Sequence, residues 1–177
     1  MSNALGDLHK DHVNFSRLLK VLSEKTTALK EDRIPNYDLM RDVLDYLENY
    51  ADLYHHPKEN LIYSFHLKRS TSGKETFEQL MQEHVELKQL TVQLYRAVDG
   101  LLHGEILPKE KFIEQLSEFV ARQRQHLDTE ESEIFPLLEK SLTADDWKQI
   151  EKTMPKQTDP LFDKVERQYE ALYERAL

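Results

Sequence analysis

Two stretches of this chain place a glutamate four residues after a histidine: His55 with Glu59, and His126 with Glu130. On a helix, positions i and i+4 share a face about 6 Å apart. Each pair can therefore offer an imidazole nitrogen and a carboxylate oxygen to one metal centre. Two further histidines, His12 and His84, stand alone. The six residues repeat along the chain. His12 and His84 are 72 positions apart, His55 and His126 are 71 apart, and Glu59 and Glu130 are 71 apart. Their surroundings repeat too: Asp11-His12-Val13 matches Glu83-His84-Val85, and Leu22 matches Leu94. This is the mark of a duplicated helical hairpin.

Taken singly, these residues say little. A lone histidine in a helical protein is ordinarily a surface or hydrogen-bonded core residue, and a His-x-x-x-Glu pair is ordinarily an exposed helix pair. Six of them, repeated and on inward-facing positions, are another matter. Burying two carboxylates and four imidazoles in an apolar core is costly without compensation, and metal ions supply it. Four histidines and two glutamates can hold two divalent ions, each with two imidazoles and with both carboxylates bridging. Positions then remain for solvent or a diatomic ligand. Nitrogen and oxygen donors without sulfur suit Fe, Mn or Zn rather than Cu(I).

The elements that must position these groups follow from apolar spacing. Leu5, Leu8, His12, Phe15, Leu19 and Leu22 step by 3 and 4, predicting a helix from about Asn3 to about Lys30. Asn36 can cap a second helix, from about Tyr37 to about Lys68, whose inner face carries Leu44, Leu47, Ala51, His55, Glu59 and Ile62. Pro57 lies inside it and cannot donate to the carbonyl of Leu53, so a local distortion is expected there. Phe77, Leu80, His84, Leu87, Thr91, Leu94, Val98 and Leu101 mark a third helix, from about Lys74 to about Leu102. The fourth begins near Pro108, with Phe112, Leu116, Phe119, Gln123, His126, Glu130, Ile134 and Leu137 on its inner face. In both hairpins, 18 residues separate each histidine from the loop end of its helix. Antiparallel neighbours would place all four histidines in one layer, ~27 Å from the loops. The expected architecture is an all-α, antiparallel up-down-up-down four-helix bundle over residues 1–140, with two extra helices in residues 141–177. Thr143 and Asp146 resemble a capping box for the first of these. Asp159-Pro160 opens the last, which carries Leu161, Phe162, Val165, Tyr169 and Leu172 and packs on the bundle or on a second subunit.

The other histidines rank lower as ligands. His56 lies about 100° around the helix from His55, beside Asp52, Asn49 and Asn60, and is expected to be solvated. His66 suits packing near a helix end, and His103 an exposed position. His9, one turn before His12, is a candidate fifth imidazole or a group that supports a ligand. Glu131 is the substitute for Glu130.

Composition agrees and excludes other chemistry. The 177 residues hold only 4 Gly and 6 Pro, and 27 Leu against 14 Val plus Ile, which favours helix over sheet. The net charge of −9 argues against a nucleic-acid surface. With no cysteine there is no disulfide, thiolate metal site or thiol catalysis within these residues. No apolar run reaches the roughly 18 residues of a membrane span, and Met1–Lys10 lacks the pattern of a signal peptide, so a cytoplasmic location without membrane contact is expected.

The pattern His12, His55-x-x-x-Glu59, His84, His126-x-x-x-Glu130 resembles the hemerythrin-like, or HHE cation-binding, family. His55-His56-Pro57-Lys58-Glu59 and the stretch from His126 to Pro136 look like its two signature helices, and the resemblance covers roughly Leu5 to Glu139. It implies two iron ions with a bridging oxo or hydroxo group, facing O2, NO or peroxide. It implies a role in sensing, storage, or the response to iron or nitrosative stress. The competing readings are an enzyme that reduces NO or peroxide or donates iron to damaged iron–sulfur clusters, and a structural bundle with zinc. Oxygen carriers of the family have one more histidine, a turn after the position of His84; here that residue is Lys88. The implied shell is therefore symmetric and more open, with Tyr50, Tyr54 and Tyr63 as candidates to fill the gap. A similar shell occurs in the branch linked to cluster repair, which often adds a cysteine-bearing N-terminal segment. A homodimer through the C-terminal helices is a further expectation.

Overall fold

The computed structural model describes residues 3–163 and 167–176, and they form helices without strands. The first helix, α1, spans Asn3–Lys30. Asn36 caps the next, accepting a hydrogen bond from the Leu39 amide at 2.9 Å. This second rod is continuous but not uniform: α2 (Tyr37–Tyr46) passes into a π-helical segment (Leu47–His55), then into α3 (His56–Leu67). The third rod is α4 (Lys74–Leu102), and Gly104, at φ +89°, takes the left-handed conformation just past its end. The fourth repeats the compound design, with α5 (Lys109–Thr129), a π segment (Glu130–Ile134) and α6 (Phe135–Ser141). A capping box at Thr143 and Asp146 opens α7 (Ala144–Thr153) as expected, and α8 spans Glu170–Ala176.

Both π segments end just before an interior proline, Pro57 or Pro136. A proline inside a helix removes one backbone donor and crowds the carbonyl four residues back. Widening the preceding turn relieves that crowding. The amide of His56 bonds to the carbonyl of Ala51, and that of Phe135 to Glu130, five residues back in each case. The distortion expected at Pro57 is therefore a nine-residue π segment that carries His55 at its end.

The rods pack as a closed ring of neighbours. α1 lies along α5 and α2, and α4 lies along α2, α3 and α5. Their apolar faces form two separate cores. One contains Leu18, Leu22, Leu44, Val98, Leu116 and Phe119. The other contains Leu5, Leu8, Ile62, Phe77, Leu138 and Trp147. The residues between them in sequence on every rod are the polar ones: His12, His55 to Glu59, His84 and His126 to Glu130.

Described residues of the C-terminal segment pack on the bundle. Leu161, Tyr169 and Leu172 are buried within the first core. Residues 160–163 form a turn rather than the expected helix, and Val165 lies outside the described residues. Asp159 anchors the turn. Its Oδ1 accepts from the amides of Leu161 (2.8 Å) and Phe162 (3.0 Å), as a helix cap does. Its Oδ2 accepts from Tyr46 Oη at 3.1 Å, and Tyr169 Oη donates to Asp45 at 2.8 Å. Replacing Asp159 with Ala would orphan two amides and a buried phenol. The expected loss is about 2–4 kcal/mol of unfolding free energy; urea denaturation checks it, and an unchanged midpoint would contradict this account of the latch.

Candidate metal centre

Six residues predicted to converge do so. His12, His55, Glu59, His84, His126 and Glu130 lie in the layer between the two cores, none more than 4% exposed. His12 Nε2 is 3.0 Å from His55 Nε2 and 3.2 Å from Glu59 Oε1. His55 Nε2 is also 3.2 Å from Glu59 Oε1. On the other side, His84 Nε2 lies 3.4 Å from Glu59 Oε2 and 3.4 Å from Glu130 Oε1. His126 Nε2 is 3.2 Å from Glu130 Oε1, while Glu130 Oε2 faces His12 at 3.4 Å. Each carboxylate thus turns one oxygen to His12 or His55 and the other to His84 or His126.

The second nitrogen of every ring is already engaged. His12 Nδ1 meets Glu131 at 2.8 Å, His55 Nδ1 meets Asp11 at 2.9 Å, His84 Nδ1 meets Asn60 Oδ1 at 2.8 Å, and His126 Nδ1 meets Glu83 at 2.8 Å. Those partners are acceptors, so each Nδ1 donates and each Nε2 presents its lone pair inward. Four lone pairs and two carboxylates then face one another across 3.0–3.4 Å. Only a positive charge between them resolves this. Around an ion at about 2.1 Å from its ligands, neighbouring ligand atoms stand about 3.0–3.4 Å apart. Three buried atoms, Glu59 Oε2, Glu130 Oε2 and His126 Nε2, have no hydrogen-bond partner. The donor set fits a cation.

Without metal, protons take the cation's place. Burial disfavours charged imidazolium, but hydrogen bonds to Glu131 and Glu59 and the charge of Glu130 outweigh it, and His12 is pushed up to about 10. His126 rises to about 10 in the same way, through Glu130 and Glu83. Glu130 falls to about 2 because His126 and His84 overcome burial and the repulsion of Glu59.

The partners of Nδ1 escaped the sequence reading, although the signal was there. Asp11 and Glu83 each immediately precede a lone histidine; Asn60 and Glu131 each immediately follow a buried glutamate. They obey the same duplication as the ligand-type residues. Glu131 therefore does not substitute for Glu130 but holds His12, and His9, half-exposed, pairs with Glu131 at 3.0 Å rather than joining the cluster. Among the tyrosines, Tyr63 Oη donates to Glu130 Oε1 at 2.7 Å, Tyr50 Oη faces Asp11 at 3.4 Å, and Tyr54 packs at the edge of the first core. His66 is buried between Ser72 and Ser141, and His103 is exposed, both as expected.

His56 corrects the sequence reading. Expected in solvent, it is 4% exposed and stacks on His84 with ring centres 4.3 Å apart. A second rod with buried neighbours on two sides, α1 and α4, hides more than one stripe. Two groups have ligand atoms that all lie within 4.8 Å of one another: His12, His55 and Glu59, and His56, Glu59, His84 and His126.

The family model of the hemerythrin HHE cation binding domain matches residues 3–138. No curated protein and no solved structure matches the chain. No helix among the described residues is long and apolar enough to cross a membrane.

The raised histidines set a pH dependence. Their contribution to stability is complete below the ordinary value near 6.5 and is lost as pH climbs to about 10. The metal-free chain should therefore lose unfolding free energy between pH 6.5 and 10 in urea titrations at fixed ionic strength. A flat profile over that range would contradict the protonated cluster.

Proposed function

The chain belongs to the hemerythrin HHE cation-binding family, and from that premise we propose that it holds two iron ions and binds O2 or NO at them. The observation that carries this reading is the division of both buried carboxylates between two sets of imidazoles. In this reading His12 and His55 hold one ion, His84 and His126 hold the other, and Glu59 and Glu130 reach both. The four rods in this reading run up-down-up-down, which brings the histidines level, and the described residues after 140 brace the bundle. An iron pair supplies electrons and open coordination positions to a bound diatomic molecule. Manganese or zinc suits the same donors, but zinc brings no redox chemistry.

The residues of the chain do the rest. The acceptors on each Nδ1 fix the tautomer, aim Nε2 and raise its basicity. The two apolar cores keep bulk water from the layer, so a small neutral molecule is the ligand that can reach it. Tyr63 holds its phenolic proton well above the ordinary range, through burial and the charges of Glu130 and Glu59, and lends it as a hydrogen bond to Glu130 Oε1. We infer sensing or storage rather than turnover.

Anaerobic loading with ferrous iron, followed by metal analysis, should find about two irons per chain. Glu59→Gln and Glu130→Gln should each retain less, because an amide offers one neutral oxygen where a carboxylate offers two charged ones. Full occupancy in both variants would contradict the bridging assignment.

A further inference from the structure

The duplication that organises the centre has one conspicuous exception. His12 and His84, His55 and His126, Glu59 and Glu130, Asp11 and Glu83, and Asn60 and Glu131 all correspond at spacings of 71 or 72. By the same spacing His56 corresponds to Leu127, and Asp52 to Gln123. Both Leu127 and His56 are buried, but only one of them has a lone pair to offer. The second half of the chain therefore fills with hydrocarbon the place that the first half fills with an imidazole.

Like the four other rings, His56 has a side-chain oxygen close to its Nδ1. Its Nδ1 lies 3.1 Å from Asp52 Oδ1, and Asp52 is itself buried. A proton on that nitrogen, turned to Asp52, would leave Nε2 with its lone pair. The ring stacks on His84, at 11° between planes, and meets His126 edge-on at 5.8 Å. Its ligand atom falls in one group with those of Glu59, His84 and His126, and not in the group of His12 and His55. The geometry points to His56 as a third imidazole ligand of the ion held by His84 and His126. Asp52 is its positioning residue.

The consequence is an unequal pair. One ion has three imidazoles from the second, third and fourth rods; the other has two, from the first and second. The position at which a diatomic ligand can enter then belongs to the ion at His12 and His55. The assignment also accounts for a consecutive His-His on one helix with both rings buried. The π segment ending at His55 alters the rotation between the turns on either side of it. His55 is thereby turned to Asp11 on α1 and His56 to His84 on α4.

This inference rests on the two-ion reading, and cobalt separates the two. Co2+ titration of the metal-free protein, followed by its visible absorption, should show two ions per chain for the native sequence. His56→Ala should bind the first with native affinity and the second at least ~10-fold more weakly, with a changed spectrum, and millimolar imidazole should restore both. Circular dichroism of the metal-free variant establishes that it folds. Two ions bound by His56→Ala with native affinity and an unchanged spectrum would overturn the assignment and leave the two-ion reading intact. Fewer than two ions in the native protein would overturn both. Mössbauer spectra of the iron-loaded native protein need no variant: two unequal iron environments are expected, and a single environment for both irons would overturn the assignment.

Discussion

Two carboxylates buried beyond the reach of water, within 3.2–3.4 Å of the same histidines, are the constraint around which this molecule is built. An isolated buried carboxylate is among the costliest groups a core can contain. Here two of them share one layer and repel each other. Every other feature of the centre answers that cost: inward-facing imidazole nitrogens, acceptors on the outward nitrogens, a phenol on Glu130, and space at ligand distances for positive charge. The apolar cores above and below secure the rods that carry these groups. The C-terminal segment extends one core by Leu161, Tyr169 and Leu172.

The π segments tie the backbone to this layer. A uniform α-helix advances each side chain by a fixed angle, and two consecutive histidines could not both face buried neighbours on different rods without a wide buried arc. The interior prolines, which would be costly in a regular helix, sit where the helix is already widened. Sequence features that look like defects from the standpoint of helix propensity coincide with the buried polar layer.

Much of this was legible in the residues alone. The 3-and-4 spacing identified the rods, and the near-constant repeat picked His12, His55, Glu59, His84, His126 and Glu130 out of eight histidines and a large excess of acids. Asn36 and Thr143 marked helix starts because capping is a local bond between residues close in sequence. Three things were not legible, each for a physical reason. His56 was misplaced because projection onto an ideal helix assumes a constant step and a single buried stripe. The turn at Asp159 resembles a helix start in sequence because its bonds to the Leu161 and Phe162 amides are those of a cap, and Tyr46, which buries it, is 113 residues away. The acceptors Asp11, Asn60, Glu83 and Glu131 look like ordinary surface polar residues until the rods are placed side by side.

The central claim is that this layer exists to hold two cations between Glu59 and Glu130. Anomalous diffraction at the iron edge from crystals of the iron-loaded protein tests it most directly. Two strong peaks within the layer, each adjoining an oxygen of both glutamates, are predicted. A single peak, or density only at the surface, would contradict the account.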